Sequence, residues 1–194
     1  TASTDFEGSI SNVTVKEVDQ FIPDKSTNSN NAKLLTGKAL SFNGNDSVNI
    51  DSFSMAGTEA TFAFWFYPTT TVGNVIDFDA GSSSERLVLG LNLNNFKIYS
   101  GSLNRWGDFG SLSVNTWSRV IVTISGVTAK CYVNNTQLGS DVTIGAWDLS
   151  SMDKAKIGSN DGGTGSYISG KLSDFQIYNT AWDSDDAAYD YANP

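Results

Sequence analysis

Residues 61–68 read Thr-Phe-Ala-Phe-Trp-Phe-Tyr-Pro, TFAFWFYP. Side chains of an extended strand point alternately to its two faces. Phe62, Phe64 and Phe66 therefore share one face, and Ala63, Trp65 and Tyr67 the other. Both faces are apolar, which predicts a central strand covered on both sides. Pro68 ends it, where ladder donors are no longer needed. Short alternating runs flank it. ALSFNG (39–44) and SVNI (47–50) enclose the turn Asn43-Gly-Asn-Asp46. NVIDFD (74–79), RLVLGLNL (86–93) and FKIYS (96–100) follow, divided by Gly, Ser or Asn. WSRVIVTIS (117–125) and AKCYVNN (129–135) are joined by Gly126-Val127-Thr128, and the latter turns back through Asn134-Asn135 into TQLGSDV. Paired Asn tolerates the positive φ of a two-residue hairpin turn. KAKIGS (154–159) and YISGKLSDFQIYN (167–179) close the series. Only Ser184–Tyr191 reads as a helix, with Ser184 as cap and acidic residues in the first turn. A dozen short strands without intervening helices imply an all-β fold: an antiparallel two-sheet β-sandwich, or jelly roll, with one short C-terminal helix.

Composition narrows the function. The 194 residues are 39% hydrophobic, enough for a packed core, and only 17% charged. The net charge is −9, and the 12 Lys and Arg residues never cluster. A polyanion is repelled by such a chain, so no nucleic-acid partner is expected. No apolar run approaches the roughly 20 residues that span a bilayer, so no membrane insertion is expected. The chain has no histidine, which excludes Ser-His and Cys-His nucleophile systems and His-ligated zinc. Cys131, the one cysteine, shares a strand face with Ala129 and Val133 and reads as a small core residue. The sequence does not begin with Met and reads as a piece of a longer protein or a processed one.

Residues 24–33, DKSTNSNNAK, are polar and turn-prone. They divide an N-terminal strand and linker segment (1–31) from a jelly-roll domain (32–194). Gly8–Val18, GSISNVTVKEV, echoes Gly170–Thr180, GKLSDFQIYNT. The later stretch predicts the closing strand, with Leu172, Phe175 and Ile177 facing the core. Their uneven spacing calls for a bulge at Ser173-Asp174. The earlier stretch is either the last strand of a preceding domain or, the reading preferred here, an added edge strand on this sandwich.

Several of these groups carry a resemblance. ALSFNGNDSVNI, ATFAFWFYPTT, NTWSRVIVTISGVTAKCYVNNTQLG and GKLSDFQIYNTAWDSDDAAYDY stand in the order of the strands of laminin-G-like, concanavalin-A-like lectin/glucanase jelly rolls, of the kind found in phage tail, virion and microbial surface proteins. The resemblance covers roughly residues 38–192. It implies the jelly-roll fold, but that fold hosts lectins, enzymes and structural units alike.

Catalysis is not expected. Glucanases of the resembled family carry a Glu-Ile-Asp-x-Glu phrase, because glycoside hydrolysis needs two carboxylates flanking the bond. The nearest phrase here is Val75-Ile-Asp-Phe-Asp79, where Asp77 and Asp79 share a face but Val75 replaces the first Glu. The lyases of the fold use a His that this chain lacks.

The resemblance also implies a structural Ca2+ between the opening and closing strands, held by Asn43, Asn45, Asp46 and Asp174. The competing reading is a polar turn whose Asn and Asp bond their own backbone. A second candidate metal cluster is Asp77, Asp79 and Glu85 in an acidic, Gly-rich loop. Candidate ligand-binding residues are aromatic and polar. Trp106, Asp108 and Phe109 lie in SLNRWGDFG, and Trp147 in IGAWDLS. Asn160, Asp161 and Tyr167 lie in a second Gly-rich loop. Sugar sites pair an aromatic face with a few polar groups that fix the hydroxyls. Trp65 and Trp117 read as core, and Trp182 as the anchor of the terminal helix. Sequons at Asn12, Asn45 and Asn134 arise readily in so Asn-rich a chain. The sequence thus points to a non-catalytic module that recognises carbohydrate or cell-surface glycan. Its expected setting is attachment or adhesion, within a larger virion or surface protein, on the virion or outside the cell. The rival expectation is a structural virion, fibre or decoration domain packed against neighbouring domains.

Overall fold

A computed structural model describes residues 20–22, 32–35, 39–50, 57–79, 86–152, 154–160 and 165–193. The strands in chain order are β1 (Gln20–Ile22), β2 (Ala32–Leu35), β3 (Ala39–Asn43), β4 (Val48–Ile50), β5 (Glu59–Pro68), β6 (Gly73–Asp79), β7 (Leu87–Asn92) and β8 (Asn95–Ser100). They continue with β9 (Arg105–Ser111), β10 (Ser118–Ser125), β11 (Thr128–Val133), β12 (Thr136–Gln137), β13 (Val142–Thr143), β14 (Lys154–Ile157) and β15 (Ser169–Tyr178), before helix α1 (Ser184–Ala192). One sheet has the order β1-β2-β3-β15-β5-β10-β11-β12, with β13 also on β11; the other runs β4-β14-β6-β7-β8-β9. This is the expected two-sheet antiparallel sandwich.

The alternation in β5 sets the core. Between β15 and β10, it turns Phe62, Phe64 and Phe66 toward the other sheet. The Phe62 ring lies 5.1 Å from that of Phe78 on β6, and the Phe64 ring 6.4 Å from that of Phe96 on β8. Burying each such ring stabilises the fold, and truncating one to Ala costs about 3–5 kcal/mol. Cys131 is buried in this core, and burial pushes its thiol pKa upward, because a thiolate there would lose its hydration.

The closing strand behaves as its spacing predicts. β15 lies beside β3, and its register against β5 shifts between Ser173 and Gln176. Asp174 takes φ 49° in this bulge. Leu172 then reaches the core, and Phe175 stacks on Phe64 at 5.4 Å. Asn134 and Asn135 form the turn from β11 to β12 with φ of 48° and 65°.

The other face of β5 is covered by α1. Ala63, Ile121 and Tyr132 pack with Ala187 of the helix, and Tyr178 and Trp182 flank them. Trp182 anchors the helix approach, its ring 4.5 Å from Tyr178. The N-cap is Asp183, one residue earlier than expected. Its Oδ1 accepts from the backbone N–H groups of Asp185 (2.8 Å) and Asp186 (3.0 Å), and Asp186 Oδ2 accepts from Asp183 N–H. A carboxylate satisfies two orphan donors there and complements the helix dipole, which a Ser hydroxyl does less well. The buried Arg119 clamps the far end. Its Nε and Nη2 donate to Asp190 at 2.7 and 2.8 Å, and Nη1 to Asp174 Oδ2 at 3.0 Å.

Trp65 and Trp117 are not core residues. Both lie on this outer face, Trp65 half-buried against Tyr191 and Trp117 exposed against Tyr67. Trp65 pairs with Arg119 in register, and Trp117 is two residues from Arg119, so period two sends all three outward. β1 and β2 extend this sheet beyond β3. The Gly8–Val18 echo and most of the 24–33 segment lie outside the described residues.

Candidate functional site

In the six-stranded sheet the inner rows are apolar and one outer row is not. Asn49, Lys156, Asp77, Val88, Tyr99 and Trp106 stand opposite one another across six strands. The one α-helix among the described residues, α1, packs on the other sheet.

The row ends in a groove of ≈ 260 Å³ lined by Trp106, Tyr99, Val88, Arg86, Asn74, Asn160 and Ser166. Trp106 is 46% exposed, and its ring leans on Tyr99 at 5.4 Å and 56°. Tyr99 is fixed in turn, its hydroxyl donating to Asn104 Oδ1 at 2.8 Å. Arg86 immediately precedes β7 and folds back over β6. Its Nε donates to Asp77 Oδ1 at 2.8 Å and its Nη2 to Asp77 Oδ2, so the fork is bidentate. Nη1 makes no hydrogen bond to a described residue. The Arg86 pKa is raised, by the hydrogen bond to Asp77 first and by the charges of Asp77 and Asp79, against burial. The Arg86 guanidinium carbon lies 6.0 Å from the Tyr99 ring centroid.

The amide wall rests on close backbone approaches. Asn74 N–H donates to Ser166 O at 2.6 Å. Gly73 has φ 134°, and a Cβ there would come within 2.5 Å of Tyr167 O, so only glycine admits this contact. A Cβ on Gly90 would come within 3.1 Å of Asn74 Oδ1, so glycine leaves room for the amide across β7. Asn160 Oδ1 is buried with no partner among the described residues. A flat aromatic surface beside amides and a spare guanidinium edge suits a sugar ring: C–H groups over the indole, hydroxyls toward the polar wall.

Of the residues singled out in the sequence, the groove brings together Trp106 and Asn160. Phe109 is a correction: it is buried in the core and stacks on Phe96. Trp106 and Phe109 are three apart, and an odd separation along a strand puts two residues on opposite faces. Trp147 is likewise buried, its Nε1–H donating to Gly126 O at 2.9 Å; its edge borders a separate ≈ 460 Å³ cavity that shares Arg86. It therefore offers no open platform. Asp108 faces outward, but Lys97 (3.4 Å), Asn95 Nδ2 (2.8 Å) and Gly110 N–H (2.9 Å) already engage its carboxylate. Tyr167 is half-buried and does not line the groove. Asp161 and Glu85 lie outside the described residues.

The first metal cluster does not assemble. β15 pairs Ser169 with Asn43, so Asp174 lies five residues farther along, about 16 Å away at ~3.3 Å per residue. Asp174 serves Arg119 instead. Asp46 Oδ2 accepts from Asn43 N–H at 3.1 Å and Asn43 Oδ1 from Asn45 N–H at 3.0 Å, the self-bonded polar turn. In the second cluster Asp77 and Asp79 share a face as expected, but Asp77 is fully buried under Arg86. Among the described residues no three acidic or thiol groups gather. The described side chains of these two sets thus supply fewer oxygens than the six to eight that Ca2+ takes, with Glu85 outside the described residues.

Arg86, Asn74, Tyr99 and Ser166 were not anticipated. Arg86 stands before an apolar run, where it reads as a strand flank. Tyr99 joins Trp106 only through the β8–β9 register.

No curated protein matches the chain in sequence. Among solved structures it is similar to a pentraxin from Limulus polyphemus, at 17% identity and TM-score 0.60, over 75% of this chain and 77% of that one. It is similar to domain 4 of the extracellular arabinanase AbnA from Geobacillus stearothermophilus, solved with arabinotriose, at 18% identity and TM-score 0.62, over 92% and 82%. It also resembles the ligand-binding domain of botulinum neurotoxin serotype D, solved with N-acetylneuraminic acid, at 15% identity and TM-score 0.62. That likeness covers 91% of this chain and half of the toxin chain. Such identities show a shared fold. The laminin-G-type family model matches residues 42–188, and the chain therefore belongs to the concanavalin A-like lectin/glucanases superfamily.

Proposed function

We propose that this domain is a non-catalytic glycan-binding module that attaches a larger extracellular or virion-surface protein to carbohydrate. The observation that carries the reading is Trp106, half-exposed and braced on Tyr99 in a groove it shares with Arg86 and the amides of Asn74 and Asn160. An exposed indole set in a concave groove among polar side chains has the make-up of a sugar platform. The arabinanase domain and the toxin domain, each solved with a sugar, support it. The non-catalytic part rests on Asp77. Its carboxylate is taken up by the bidentate fork of Arg86, and no carboxyl group among the described lining residues stands ready as the acid–base pair that a glycosidase needs.

A glycan array with Trp106→Ala as control tests this. Wild type binds at least one glycan and the variant loses about tenfold or more in affinity, the size of a central aromatic anchor. Absence of binding to every glycan, with and without added calcium, overturns it. The rival structural reading draws on Trp117, Tyr189 and Tyr191, which are exposed on the helix-bearing side. A stable homo-oligomer that buries those three would favour it.

A further inference from the structure

We infer that the groove selects a neutral, hydroxyl-rich sugar and discriminates against carboxylated or sulfated glycans, an inference that rests on the glycan-binding reading above. Among the described lining residues one side chain is charged, Arg86, and the buried Asp77 answers that charge through the bidentate pair. The rest of the lining is uncharged: two amides, a serine, a valine and two aromatic rings. The surrounding charges do not form a cationic patch. Lys156 stands opposite Asp77 and Lys154 opposite Asp79, so signs alternate across β14 and β6. The raised pKa of Arg86 shows that the carboxylates outweigh burial at the guanidinium itself. In sequence, Glu85 adjoins Arg86 and Asp161 adjoins Asn160, and the chain carries −9 overall.

An anionic ligand needs surplus positive potential to offset the loss of its hydration. This groove supplies hydrogen bonds without that surplus. Arg86 offers N–H donors, and the Asn74 and Asn160 amides offer both donor and acceptor atoms. That set matches the hydroxyls of a neutral ring, each both donor and acceptor, while the Trp106 face covers its C–H groups.

The test is an array carrying neutral oligosaccharides (glucan, galactan, xylan and arabinan fragments) beside acidic ones (polygalacturonate, alginate, sialylated and sulfated chains), followed by calorimetry on the hits. Neutral glycans are expected to bind, with affinity changing less than about twofold between about 50 and about 500 mM NaCl, since no charge pair would be screened. Asn160→Leu is expected to lower that affinity about tenfold or more with the circular dichroism spectrum retained; Trp106→Ala serves as the second variant should Asn160→Leu misfold. Acidic glycans binding at least as tightly, with affinity falling as salt rises, overturn the neutral selectivity but leave glycan binding intact. Failure of both groups overturns the glycan-binding reading itself, and this inference with it.

Discussion

Two arginines hold an aspartate by the same Nε–Nη2 fork, one on each outer face of the sandwich. Arg119 is 1% exposed, and its third nitrogen is also used, on Asp174. Arg86 is 29% exposed and lines the groove, and its third nitrogen has no partner among the described residues. The first is a saturated clamp that fastens α1 to the nine-stranded sheet. The second is an unsaturated edge on the sheet that α1 does not cover. The same pairing thus secures structure where all three guanidinium nitrogens are engaged and borders a groove where one nitrogen has no partner among the described residues.

The largest expected effect breaks the clamp. Arg119→Met removes the cation that Asp190 and Asp174 share and lowers stability by about 3 kcal/mol in urea unfolding, chiefly through the mostly buried Asp190, as loss of one partner of a buried pair does. Glycan affinity of the folded fraction should be unchanged, because the two arginines serve opposite faces. A loss of affinity would show that the faces are coupled. Next is the groove: Trp106→Ala weakens glycan binding by on the order of 2 kcal/mol, yet shifts unfolding by less than about 0.5 kcal/mol, as expected for a surface side chain. Equal losses in both would mean that the indole is a packing element. Smaller again is Asp183→Ala, which removes the α1 cap and costs about 1 kcal/mol by the same unfolding assay. The smallest effect concerns acid. Asp148 accepts from Ser150 and Gly57 backbone N–H groups, chiefly Ser150, and its pKa is lowered below the ordinary 3.8. A depressed carboxyl pKa contributes stability that is fully present above the unfolded value and lost as pH falls through the folded one. Asp148→Asn should therefore lower stability slightly at neutral pH and flatten the stability–pH curve below about pH 4, where the difference from wild type closes.

How much of this was legible in the sequence differs between the faces. β5, the Asn134-Asn135 turn and the bulge at Asp174 were readable, because each follows from spacing within one strand or one turn. Trp182 as anchor was readable for the same reason. The site was legible only in its exposed indole and one amide. Val88, Tyr99 and Trp106 come from three strands, and only inter-strand register puts them in one row, with Arg86 just before the first of those strands. Register also separated Asn43 from Asp174, which the sequence reading had joined because their strands are neighbours. Phe109 and Trp117 failed differently. Period two alone would have placed Phe109 opposite Trp106, and Trp117 became legible once Arg119 was known to face outward.

The most direct test follows the indole N–H signals of the five tryptophans by two-dimensional NMR during titration with a neutral glycan from the array. The account predicts that the Trp106 signal moves, saturably, while Trp147, bonded to Gly126 O, and Trp65, Trp117 and Trp182 on the helix-bearing side hold still. Movement of Trp117 or Trp65 with Trp106 unmoved would place the binding surface on the wrong sheet and contradict it.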